Sequence, residues 1–206
     1  MIKKELYIIR HGETDFNREG IVQGRGVNTS LNALGRRQAK LFYAANKNEG
    51  FEFICTSTLK RSIETVKAFI DDGIPWQSFS ALDEISWGNF EGKPATLGFK
   101  KSYHQLLKLW NEGEADATIE NCETITDVQL RQRSFLEQLP DWEYKKILIC
   151  MHGRAMRIML ATMMGVPIQK MDQFGHHNLS LYKLLYENEK YTIEIFNSLA
   201  HLYGKN

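Results

Sequence analysis

Two short apolar runs constrain this chain more than anything else in it: Leu6-Tyr7-Ile8-Ile9 and Ile147-Leu148-Ile149-Cys150-Met151. Successive side chains on a strand point to opposite faces, so apolar residues at every position require a strand covered on both sides. Each run stops abruptly at a histidine and a glycine, His11-Gly12 and His152-Gly153, and Arg10 immediately precedes the first pair. Gly12 lacks the Cβ that resists a tight turn. Open α/β sheets hold their ligands beyond the carboxyl ends of the strands. In a parallel sheet both histidines would emerge at that edge and could approach one another.

The chain between and beyond these runs alternates in period. Asn32 can cap a helix reaching about Asn46, with Leu34, Leu41 and Ala45 on its inner side. A short strand at Phe53-Ile54-Cys55 leads to Thr56-Ser57-Thr58, whose hydroxyls can cap a helix carrying Leu59, Ile63, Val66 and Ile70. Trp76 to Phe79 predicts another strand. Further helices carry Phe99, Tyr103, Leu106, Leu107 and Trp110, then Ile125, Val128, Phe135, Leu136 and Leu139, then Met156, Met159, Leu160, Met163 and Met164. Leu179 to Tyr186 and Tyr191 to Ser198 read as strands of a hairpin. Asp15 to Asn28, with several glycines and amides and no apolar period, reads as a long loop. The prediction is a single α/β domain over residues 1–206: a three-layer α/β/α sandwich with a mostly parallel central sheet.

Composition narrows the function. The 26 basic and 25 acidic side chains leave a net charge of +1, so no overall field favours nucleic acid, and no basic run supplies one locally. The apolar runs are too short to span a membrane, and no secretory leader precedes the first strand. Three cysteines, Cys55, Cys122 and Cys150, make an odd count that suits packed thiols better than a disulfide framework. A cytoplasmic protein is expected.

An anionic ligand therefore has to be held by a few placed cations. Arg61 falls in the first turn of its helix, the end that disfavours cations and attracts anions, so it is badly placed unless an anion sits there too. Two histidines flanked by Arg10 and Arg61 make a compact anion pocket that needs no metal, because guanidinium groups match phosphate oxygens bidentately. His176-His177 fits no usual zinc spacing and reads as a surface or loop pair.

Arg10-His11-Gly12-Glu13-Thr14, with Asn17 and Gln23-Gly24 following, resembles the signature of the histidine phosphatase superfamily, the phosphoglycerate mutase-like family. Thr56-Ser57-x-Leu59-x-Arg61-x-x-Glu64-Thr65, then Glu84 with Gly88, Phe90, Glu91 and Gly92, then His152-Gly153, continue the match in order, from Ile8 to at least Asn178. The resemblance implies the phosphoglycerate mutase-like fold and a phosphohistidine mechanism. His11 would attack phosphorus. Arg10, Arg61 and His152 would hold the phosphoryl oxygens, with Asn17, Gln23, Gly24 and Gly153 completing the phosphate site. Glu84, desolvated by Trp87 and Phe90, would protonate the leaving oxygen and then activate water.

The implied substrate is a small phosphorylated metabolite, with no metal and no cofactor. Glu84 and His152 lie closer together in sequence than in the cofactor-dependent mutases, which favours hydrolysis. A phosphoglycerate mutase and a catalytically silent binding module remain the alternatives. Specificity is expected in the Glu19–Asn28 loop and the Phe99–Cys122 region, which do not choose among sugar, nucleotide and carboxylate partners. The sequence says nothing of oligomeric state.

Overall fold

The computed structural model describes residues 3–119 and 121–203. Six strands form one sheet in the order β3-β2-β4-β1-β5-β6. They are β1 (Lys3–Arg10), β2 (Phe53–Thr56), β3 (Trp76–Ser78), β4 (Lys146–Met151), β5 (Leu181–Glu187) and β6 (Lys190–Ser198). The first four run parallel, whereas β5 and β6 are antiparallel to their neighbours. The β5–β6 hairpin turns at Asn188 and Glu189, whose φ values of 52° and 61° provide the left-handed pair that a tight two-residue turn requires.

The apolar runs are central strands, and their side chains divide between two cores. Leu6, Ile8, Ile147, Ile149 and Met151 face one cluster, while Tyr7, Ile9, Leu148 and Cys150 face the other. The first core is closed by α4 (Leu97–Glu112), α5 (Ile125–Leu136) and α6 (Gly153–Met163) through Trp110, Val128, Phe135, Met156 and Met159. The second is closed by α2 (Ala33–Asn46) and α3 (Lys60–Asp71) through Phe42, Val66 and Phe69. Helices thus cover both faces of a largely parallel sheet.

Several local expectations are corrected. The inner face of α2 is Gly35, Ala39, Phe42 and Asn46, whereas Leu34 is 47% exposed and Ala45 also faces outward. At the start of that face the smallest residue wins because the backbones approach closely. A Cβ on Gly35 would lie 2.1 Å from the Glu13 carbonyl oxygen, and one on Gly12 would lie 2.7 Å from the Gly35 carbonyl oxygen. Gly12 is therefore required by backbone packing rather than by a turn of positive φ. The expected loop after β1 holds a short helix, α1 (Asp15–Glu19), with a Thr14–Asn17 capping box and Gly20 as its left-handed stop at φ 67°. Leu139 lies in a 3-10 turn beyond α5. The Thr58 hydroxyl bonds Asp83 instead of capping α3, whose N-cap is Leu59 with no side-chain cap. Last in the chain, α7 (Ala200–Tyr203) packs near α2.

Candidate active site

Strand register places the site. Ile9 pairs with Cys150 and Arg10 with Met151, so His11 and His152 are the next residues on adjacent parallel strands. The His11 N–H donates to the Met151 carbonyl at 3.0 Å, and the two imidazole centroids lie 5.0 Å apart. Both side chains are buried.

Neighbouring groups fix the protons on each ring. His11 Nδ1 lies 2.7 Å from the Gly12 carbonyl oxygen, which only accepts, so Nδ1 carries the hydrogen. The lone pair is left on Nε2, which has no protein partner among the described residues. His152 has the opposite arrangement. Its Nδ1 accepts from Arg61 Nε at 3.2 Å, and its Nε2–H donates to Ser57 Oγ at 2.7 Å. Burial is the main cause holding the His11 pKa well below 6.5, followed by the Arg61 and Arg10 guanidiniums. Burial, then Arg61, His11 and Arg10, does the same to His152. Both imidazoles are neutral.

Arg61 is fully buried. Its Nη1 donates to the Val27 carbonyl at 2.7 Å, its Nη2 to the Gly24 carbonyl at 3.2 Å, and its Nε to His152. Gly24 thus enters the site through its carbonyl. It is a glycine because a Cβ there would lie 2.6 Å from the Ile85 backbone carbonyl oxygen, besides meeting the Glu91 carboxylate. Arg10 Nη1 lies 3.3 Å from His176 Nδ1, while its Nε is buried with no hydrogen-bond partner. Burial lowers the pKa of each arginine to about 10, which still leaves both charged at neutral pH.

Asn17 Oδ1 accepts from the Thr14 backbone at 3.2 Å and from Asn178 Nδ2 at 3.3 Å. Asn178 Nδ2 also donates to the His11 carbonyl at 2.9 Å, tying α1 to the strand end. Gln23 is engaged with Thr14 and with Thr29, whose hydroxyl donates to its Oε1 at 2.6 Å.

Glu84 sits at the start of α6. Its Oε1 accepts from Ile85 N at 3.0 Å and Ala155 N at 2.8 Å, and its Oε2 accepts from Arg154 N at 3.1 Å. Two of its three hydrogen-bond partners are thus backbone amides at the N-terminus of α6. Of the aromatics that follow it, Trp87 packs on Phe99, Tyr103 and Trp110, and Phe90 packs on Phe99.

Sequence reasoning missed three members of this cluster. His176 is half-buried against Gly153, where a Cβ would fall 2.6 Å from its ring, and burial drives its pKa down to about 2. It is a site residue, not a surface one. No spacing or motif announced it. Ser57 was read as a helix cap, yet its hydroxyl meets His152. Arg154 is buried, paired with Asp172 at 2.6 Å and bonded to the Tyr103 hydroxyl. The structure thus brings Arg10, His11, Arg61, Glu84, His152 and Gly153 together, with Asn17 on the rim.

The family model of the histidine phosphatase superfamily (branch 1) matches residues 6–199. This chain belongs to that superfamily. A relative in Hydrogenobacter thermophilus, provisionally named phosphoserine phosphatase 2, is 26% identical over 96% of this chain and 97% of its own. A Yersinia pestis protein named as a probable phosphoglycerate mutase is 28% identical over 96% and 94%. Among solved structures, the α-ribazole phosphatase from Shigella flexneri superposes with a TM-score of 0.83 at 24% identity, covering 94% of this chain and 96% of that one. That likeness establishes the shared fold. No helix among the described residues is long and apolar enough to cross a membrane.

Proposed function

We propose that this chain is a metal-independent phosphomonoester hydrolase working through a phosphohistidine on His11. The observation that carries the reading is the His11 tautomer. Nδ1 is committed to the Gly12 carbonyl, so the lone pair of a neutral imidazole stands on Nε2 beside the guanidiniums of Arg10 and of buried Arg61. Nε2 attacks phosphorus, and the bond from phosphorus to the ester oxygen breaks. Phosphoryl transfer asks mainly for positioning and charge stabilisation. Arg10 and Arg61 supply the charge, and the unpartnered Arg10 Nε is a donor waiting for an oxygen.

Glu84 handles the protons. Oε1 already takes two N–H bonds and Oε2 takes one, so Oε2 has room for the hydrogen that passes to the departing alkoxide. The amides of α6 then stabilise the carboxylate left behind. In the second half the same oxygen takes a proton from water, whose oxygen attacks phosphorus as the bond to Nε2 breaks. Phosphate leaves, and both residues return to their starting states.

The test is trapping. The protein is mixed with a labelled phosphate ester in chelator and quenched in alkali, which preserves phosphohistidine. Wild type is expected to carry acid-labile label and to release phosphate at an undiminished rate in chelator; His11→Ala is expected to do neither. Turnover by His11→Ala, or loss of turnover in chelator, would overturn the reading. Conversion of 3-phosphoglycerate into 2-phosphoglycerate without phosphate release would make the protein a mutase.

A further inference from the structure

Beside the reacting cluster, between α1, the 20–23 loop and the start of α4, lies a pocket of about 280 Å3. Its walls include Phe16, Trp87, Phe99 and Tyr103, and its polar lining comes from the amides of Asn17 and Gln23. No charged side chain lines it among the described residues. We propose that this pocket receives the leaving group, and that the group is an uncharged aryl or alkyl alcohol. The substrates would then be apolar phosphate monoesters rather than phosphorylated hydroxy acids or amino acids. This rests on the phosphohistidine reading and adds the substrate class to it.

Location is the first support. One wall, Asn17, is joined through Asn178 to the His11 carbonyl. The opposite wall, Tyr103, bonds Arg154, whose backbone N–H donates to Glu84 Oε2 at 3.1 Å. The pocket is thus tied by hydrogen bonds on one side to the nucleophile's strand end and on another to the residue whose amide holds Glu84, so it adjoins the cluster where a leaving group's substituent would extend.

Chemistry is the second. Trp87 and Tyr103 meet edge to face at 5.4 Å, and Phe99 stacks on Tyr103 at 5.8 Å, which gives a pre-formed aromatic wall. The one hydroxyl among these rings is already taken by Arg154, and Gln23 is committed to Thr14 and Thr29. A carboxylate in this pocket would face aromatic rings and find no cation, so it would gain nothing there that water does not already give it. The nearby Arg154 cannot turn to it without abandoning Asp172. Size is the third support: pockets for drug-sized ligands begin at roughly 300 Å3, so this one suits a single ring or a short chain.

Benzyl phosphate, methyl phosphate, phosphoserine and 3-phosphoglycerate all release alkoxide-type leaving groups, so their kcat/KM ratios report binding of the substituent. Benzyl phosphate is expected to exceed each of the other three by at least about tenfold, the scale of apolar groups filling such a pocket. Phe99→Arg is expected to reverse the order between benzyl phosphate and 3-phosphoglycerate, an outcome that damage to the fold cannot produce. Phe16→Lys, on the facing wall, gives the same readout if Phe99→Arg does not fold. Equal rates for benzyl and methyl phosphate, or a wild-type preference for the two carboxylates, would overturn the proposal. Labelling of His11 by acetyl phosphate, whose small, activated acetyl leaving group needs little help from the pocket, separates the two levels. With label present, such a result defeats only the substrate class; with no label from any donor, the phosphohistidine reading falls and takes this proposal with it.

Discussion

Acidification tests the neutral histidine pair directly. The pKa values of His11 and His152 are both held well below 6.5, first by burial and then by charge, so both stay uncharged in the folded protein as pH falls through that value. In the unfolded chain each titrates near 6.5 and binds a proton. Stability rises with pH, and so drops on acidification, wherever the unfolded state binds more protons. The sign follows: these histidines cost nothing above about pH 7, and destabilise increasingly below about pH 6. Each such group contributes a slope approaching 1.4 kcal/mol per pH unit, so the pair approaches about 3 kcal/mol per unit. Against a total stability of roughly 5–15 kcal/mol, that is a large fraction.

Asp172, whose pKa its arginine partners lower, adds a slope of the same sign only below about pH 5. The measurement is therefore a difference. Urea unfolding at several pH values between 7 and 5 would compare wild type with a His11→Gln, His152→Gln double variant. The wild type should lose more stability on acidification, by about 3 kcal/mol for each unit below pH 6. Equal slopes would mean that the native imidazoles take up protons as free ones do, and the nucleophile assignment would lose its physical basis.

Two further predictions concern single residues. Gly153→Ala would drive a Cβ to within 2.6 Å of the His176 ring and break its contact with Arg10; inhibition by inorganic phosphate should weaken about tenfold, and unchanged inhibition would show that His176 does not orient Arg10. Glu84→Gln removes the proton donor and the base while keeping an acceptor for the α6 amides, so steady-state turnover should fall by about 10²–10⁴; a thermal melt close to wild type would separate this from unfolding, and retained turnover would reassign the proton to another group.

The sequence disclosed the frame of this molecule better than its fittings. β1 and β4 were legible because strands buried on both faces leave no room for polar residues, and His-Gly after each marked a shared edge. Arg61 was legible through a misfit, a cation at a helix start. The inner face of α2 was not, because hydrophobicity points to Leu34 whereas contact distance selects Gly35. α1 had a cap and a glycine stop in plain view, but five residues are too few to show a period. His176 could not be found at all. Its position depends on a loop returning to the sheet edge, and its only trace, Gly153, is equally explained by a turn.

The partners of the arginines divide them in a way that residue type cannot. Arg154 and Arg157 both reach Asp172, so each is held by a carboxylate that offsets part of its charge. Arg61 is held by two backbone carbonyls and a neutral imidazole, and Arg10 by a second neutral imidazole. Neutral acceptors orient a guanidinium without cancelling its charge. Holding two such charges without a carboxylate partner, Arg61 fully buried and Arg10 partly so, costs stability, and the lowered pKa values of both record that cost. A phosphoryl dianion would bring the missing two negative charges, and neutral histidines keep that balance intact where protonated ones would exceed it. Replacing His176 by an aspartate would pair Arg10 permanently. The folded protein should then gain stability and lose affinity for phosphate, the opposite of what a merely structural contact would do.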